Sequence, residues 1–97
     1  MLHTVNKSPF QNTSLESCIR FTLPGDIILL LEDGVFAAQV GTSKSDLLES
    51  AMKKNEVYAL EADLKARALT NLVPGVKITD YAGFVDLVEK HSTHAWL

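Results

Sequence analysis

Asp26-Ile27-Ile28-Leu29-Leu30-Leu31, closed by Glu32-Asp33-Gly34, decides the fold of this chain. Its large apolar side chains follow one another without polar alternation, so it does not read as a half-wet antiparallel strand. It reads as a strand covered on both faces by helices, the situation of a parallel sheet. The run is also far short of the roughly 20 apolar residues that a membrane span needs.

Upstream, Leu2 to Val5 forms a first strand, and Asn6 to Asn12, with Pro9 inside it, a turn. Thr13 and Glu16 have the T-x-x-E spacing of a capping box and predict a helix start. Leu15, Cys18 and Ile19 then share one face, and Pro24-Gly25 ends the helix. Downstream, Val35 to Val40 reads as a short helix packed by Phe36 and Ala37. Ser43, with Asp46 three residues on, caps a longer helix to about Lys54, with Leu47, Leu48, Ala51 and Met52 as its apolar face.

Val57 to Leu60 is a third strand, and Ala62 to Leu69 a helix with Leu64 and Ala68 facing inward. Val76 to Ile78 is a fourth strand after the Val73-Pro74-Gly75 turn. Asp80 caps a last helix in which Tyr81, Phe84, Val85 and Val88 keep helical spacing. His94 to Leu97 is either a fifth, edge strand or a packed tail. Strand–helix alternation of this kind implies right-handed crossovers. The expected fold is α/β: one three-layer α/β/α domain over residues 1–97, with a mainly parallel sheet of four to five strands.

Composition narrows the function classes. Ninety-seven residues allow one modest core. Apolar residues make up 46% and charged residues 22%, as in a globular domain rather than a disordered tail. A net charge of −3 argues against a free-standing nucleic-acid binder. Met1 to Lys7 has no charged segment leading into an apolar one, so no secretory signal is visible and a cytoplasmic location is expected. A single cysteine makes neither an internal disulfide nor a thiolate metal cage. Phe10, Trp96 and Leu97 lie near the termini and, on a thinly covered sheet, predict an oligomer: a hetero-oligomer, or a homo-oligomer if the chain is isolated.

Motifs for catalysis are mostly absent. There is no G-x-G-x-x-G, no P-loop and no G-x-S-x-G elbow, and the five glycines read as punctuation. His91 and His94 form an H-x-x-H pair without a third ligand nearby, so no metal is expected. His3 reads as a hydrogen-bonded strand residue. Glu32, Asp33, Glu61, Asp63 and Asp80 follow strands, as in phosphoacceptor sites, but the first strand ends in Asn6-Lys7 without a carboxylate. Helix capping by Asp33, Asp63 and Asp80 accounts for them more simply. Lys53, Lys54, Lys65, Arg67 and Lys77 read as a solvated face. Cys18 alone offers sulfur chemistry, yet it sits inside a helix on the apolar stripe, where a thiol is shielded and inert.

Four stretches, in order and spacing, resemble the DsrH/TusB family of sulfur-relay subunits. They are Leu2 to Phe10; Leu29 to Val35 with Ala37-Ala38; Val57 to Leu60 with Asp63 to Arg67; and Asp80 to Val85 with Ala95-Trp96-Leu97. Ala68 departs from the pattern, because Ala-Arg is commonly followed by glycine in the family. The resemblance implies a parallel-sheet α/β fold and a place in a heterohexamer with TusC/DsrF-like and TusD/DsrE-like subunits. It further implies a TusE/DsrC-like sulfur carrier as acceptor, and no cofactor, membrane or direct tRNA contact. In such complexes the essential sulfur-carrying cysteine belongs to the DsrE/TusD-type subunit. The expected role is therefore that of an accessory subunit passing persulfide sulfur toward 2-thiouridine at the tRNA wobble position, with Cys18 a secondary persulfide candidate. The alternative is the same role in a DsrEFH complex of dissimilatory sulfur oxidation. An independent rhodanese-like enzyme would need Cys18 exposed in an anion-binding loop.

Overall fold

Strand β1 (Leu2–Val5) lies between β2 (Ile27–Leu30) and β5 (Thr93–Trp96). Strands β3 (Glu56–Leu60) and β4 (Lys77–Thr79) continue the sheet beyond β2. The order is β4-β3-β2-β1-β5 and every pairing is parallel. The computed structural model describes all residues, 1–97. The expected α/β fold with a five-stranded parallel sheet is what it shows, and the chain's last segment is a true edge strand.

The Ile27–Leu30 segment is buried at all four positions, and its side chains split between two cores. Ile28 and Leu30 join Val5, Val57, Ala59 and the helices α1 (Ser14–Phe21), α2 (Ser45–Ala51) and α3 (Glu61–Ala66) in the main core. Ile27 and Leu29 face the other way, with Leu2, against Phe84 and Leu87 of α4 (Tyr81–Lys90). This division follows from the topology. The crossovers from β1 through β4 all step in one direction, so right-handedness keeps their helices on one face. The return from β4 to β5, past β1, puts α4 alone on the other.

Several local readings needed correction. The Thr13 side chain makes no cap; Asn12 instead accepts the Ser14 N–H at 2.7 Å, and Glu16 pairs with Lys44 at 2.7 Å. An Asx residue one step earlier thus fixes the turn into the helix. Helix α1 ends at Phe21, before Pro24-Gly25, which forms the next turn with Gly25 at φ 91°. The segment read as a helix over Val35–Val40 is a 3₁₀ helix over Glu32–Ala38. Helix α2 starts at Ser45 rather than at a Ser43 cap and stops at Ala51, well before Lys54. The Ser45 hydroxyl accepts the Thr42 N–H and donates to the Gln39 carbonyl, so turn bonding sets this start.

Two further differences concern packing. Ala68 does not face inward: it is exposed, beyond the end of α3, with φ 53°. Leu69 N–H donates to the Leu64 carbonyl and Ala68 N–H to that of Lys65, a Schellman closure with alanine at the left-handed position. On α4, Phe84 and Leu87 meet the sheet, while Tyr81, Val85 and Val88 stay exposed. The helical spacing is present, but the half-buried side that meets the sheet is Phe84 with Leu87, so of the expected face only Phe84 packs. Asp80 caps α4 as expected, accepting the Gly83 N–H at 2.8 Å.

Candidate functional site

Cys18 is the residue on which sulfur chemistry would depend. Helix α1 lays it, with Leu15, against Val5, Ile28 and Leu30, and none of its surface reaches solvent. Burial, followed by the nearby negative charge of Asp26, pushes its pKa up to about 12. A thiolate is the nucleophile in persulfide exchange, and this setting suppresses it. The thiol is neutral and enclosed.

A polar network runs beside it, along the β1–β5 side of the same face. Trp96 Nε1–H donates to His3 Nδ1 at 3.1 Å, which leaves the ring proton on Nε2, directed to Asp26 Oδ2 at 3.0 Å. Asp26 also accepts the Leu23 N–H and holds the amino group of Met1 at 3.0 Å. The Leu23 N–H, then His3, then the Met1 amine hold this carboxyl well below the usual carboxylate range. His3, buried to 1% exposure, is thus the hydrogen-bonded strand residue expected, tying β5 to the foot of β2. His94 packs edge-on against Trp96 at 4.7 Å and Phe21 meets the same indole at 5.8 Å.

At the opposite, carboxyl end of the sheet lies a cluster that sequence spacing had misread. Asp33 and Asp63 cap no helix; the residues at those cap positions are Leu31 and Leu60. Both carboxylates converge on Arg67. Its Nε and NH2 reach Asp33 at 3.0 and 2.9 Å, and its NH1 lies 3.6 Å from Asp63. Asp63 also accepts the N–H of Glu32 at 2.7 Å, and Glu32 has the strained φ of 49°. The arginine that looked like part of a solvated basic face is therefore a strut between the 3₁₀ helix after β2 and α3. The i,i+4 spacing of Asp63 and Arg67 is the sequence signal of this pair. Lys77 and Lys65 pair separately with Glu56 and Glu61.

The strand order reverses at β1, so the crevice that parallel sheets use for ligands lies at the carboxyl ends of β1 and β5. Asn6 stands there with a buried Oδ1 that has no partner, and Ser14 Oγ donates to the Leu97 carbonyl across the gap. No ligand-sized cavity opens on the chain, and no group of three or more His, Cys, Asp or Glu side chains is placed to hold a metal. His91 and His94 are not joined by any further ligand.

Parallel three-layer architecture, a shielded lone thiol and an arginine strut between the 3₁₀ helix and α3 define a small α/β domain without an exposed nucleophilic thiol. Residues 7–94 match the family described as DsrH like protein, and the chain belongs to that family. Among curated relatives, Protein TusB of Serratia proteamaculans is 41% identical, covering 99% of this chain and all of that protein. Protein TusB of Escherichia coli strain K12 is 43% identical over the same shares. Among solved structures, the YchN protein of E. coli superposes with a TM-score of 0.79 over 95% of this chain and 94% of its own, at 17% identity. A protein of unknown function from Methanobacterium thermoautotrophicum gives 0.75 over 97% and 95%, at 14% identity. These last two speak to the fold alone.

Proposed function

We propose that this chain is an accessory subunit of a cytoplasmic sulfur-relay complex that moves persulfide sulfur toward 2-thiouridine at the tRNA wobble position. Family membership along nearly the whole length, with relatives called Protein TusB, supports the relay assignment. The observation that carries the accessory role is the burial of Cys18, whose thiol has neither the exposure nor the acidity of a sulfur carrier. In this reading a TusD/DsrE-like partner bears the reactive cysteine and a TusC/DsrF-like subunit completes the assembly. A TusE/DsrC-like protein takes the sulfur away. The present chain supplies surface and shape that keep the partner's persulfide from water and stray thiols.

Sulfur carriage by Cys18 itself would require α1 to lift from the sheet. The test is mass spectrometry of the intact chain after exposure to a persulfide donor, alone and in the co-expressed complex. The proposal expects the added mass of one sulfur atom on the partner and none on Cys18. Stoichiometric sulfur on Cys18 would overturn the accessory role.

A second reading places the same subunit in a DsrEFH complex of dissimilatory sulfur oxidation. The Asn6-Lys7-Ser8-Pro9-Phe10 stretch and the presence of Cys18 favour it. Genomic neighbours separate the two: dissimilatory sulfite reductase genes for oxidation, a solitary three-gene relay cluster for thiolation.

A further inference from the structure

Of the three histidines only His3 is buried, and both of its ring nitrogens are already engaged. Nε2–H donates to Asp26 while Nδ1 accepts from the Trp96 indole, two roles that only a neutral imidazole fills together. An indole N–H donates and cannot accept, and an imidazolium donates from both nitrogens. A proton on Nδ1 therefore sets one N–H against another across 3.1 Å. Turning the ring over does not help, because either nitrogen is then a donor. The contact with Asp26 gains from the same proton, since the carboxylate then meets a cation. Protonation tightens one side of the network and breaks the other.

We propose that His3 is a pH-sensitive latch on the end of β5: a proton on Nδ1 releases the Trp96 indole while His3 stays bound to Asp26. With His3 neutral, β5 is tied to β1 by a side-chain bond as well as by the ladder. With His3 charged, the ladder remains, and the half-buried indole turns away, held only by Phe21 and His94. Charged and titratable groups reach this place from each element packed there. Asp26 stands at the foot of β2 and shares its carboxylate between His3 and the Met1 amine. Strand β5 brings His94, its ring 6.2 Å from that of His3. Helix α1 brings the neutral Cys18, Glu16 tied to Lys44, and the exposed Arg20. Imidazoles and α-amino groups are the kinds of group that change charge between about pH 5 and 8, so His94 and Met1 are the rivals to His3 as the trigger. The latch belongs to the chain itself and does not rest on the sulfur-relay reading.

Trp96 is the only tryptophan, so indole fluorescence and the single indole N–H resonance report on it alone. The full chain, labelled with ¹⁵N, is taken from about pH 8 to about pH 5 at constant ionic strength. Long-range nitrogen spectra should show His3 protonated at Nε2 alone at the upper end and at both nitrogens at the lower. In the same transition the indole N–H should move upfield and exchange with solvent at least about fivefold faster, the loss expected for one hydrogen bond. Emission should move to longer wavelength. His94→Gln should keep the transition and His3→Gln should abolish it. Where His3→Gln fails to fold, the wild-type chain decides, by whether the His3 nitrogens and the indole titrate together. An indole resonance that stays in place while His3 takes its second proton would overturn the latch. So would a His3 that remains neutral down to pH 5, or an indole transition that follows His94 or the Met1 amine instead.

Discussion

Cys18, Gly34 and Ala68 show how much one position decides. At Cys18, burial and a neighbouring carboxylate act in the same direction, and a pKa of about 12 instead of 9 leaves about a thousandfold less thiolate at pH 8. Alkylation by iodoacetamide at that pH should be slower than for the urea-unfolded chain by at least that factor. Equal rates would show an open site. A Cβ at Gly34 would overlap the Val5 carbonyl oxygen, backbone that cannot step aside, so Gly34→Ala should cost more than about 3 kcal/mol in urea unfolding. That glycine is a contact rather than punctuation, and only the fold reveals it. Ala68 is the reverse case. Its φ of 53° strains any side chain, so Ala68→Gly should stabilise the chain by about 0.5–1 kcal/mol, read as a higher melting temperature. The departure from the family's glycine was visible in the sequence, while the left-handed conformation behind it was not.

Elements were legible where apolar pattern controls them and obscure where side chains negotiate their ends. The Ile27–Leu30 strand, buried throughout, followed directly from its unbroken hydrophobic run. Helix starts did not, because Asn12 and Ser45 fix the turns before α1 and α2 by binding the Ser14 and Thr42 N–H groups, and no side chain caps either helix. The same limit hid the cluster on Arg67. Asp63 and Arg67 share α3 and its end while Asp33 lies in the 3₁₀ helix after β2, and carboxylates that follow strands resemble caps until the arginine is placed between them. Asp63 accepts the N–H that holds Glu32 in its strained conformation. Asp63→Ala should therefore cost about 1–2 kcal/mol and speed amide exchange at Glu32. Unchanged exchange there would remove the strut from the account.

Across the whole molecule, the sheet divides a main core under three helices from a thin one under α4, with β5 at one edge. Two devices hold the outer strand in place: its ladder to β1 and the Trp96–His3–Asp26 network. Asp26 is held below its ordinary pKa, so it adds stability above its unfolded value near pH 4. That contribution fades as acid carries pH down toward the folded value. Melting temperature should thus fall on acidification below about pH 4. Asp26→Asn should melt lower at neutral pH and lose part of that acid dependence. The fold as a whole was readable because four crossovers of one hand admit few arrangements. What the chain does was not readable from residue chemistry alone, since its one reactive group is concealed.

The most direct test is sulfur transfer by the assembled complex carrying Cys18→Ser, followed with labelled persulfide from donor to carrier. Transfer should stay within about twofold of wild type, because an enclosed neutral thiol takes no part in exchange. Loss of transfer as complete as that caused by removing the partner's own cysteine, from a complex that still assembles, would contradict the accessory role.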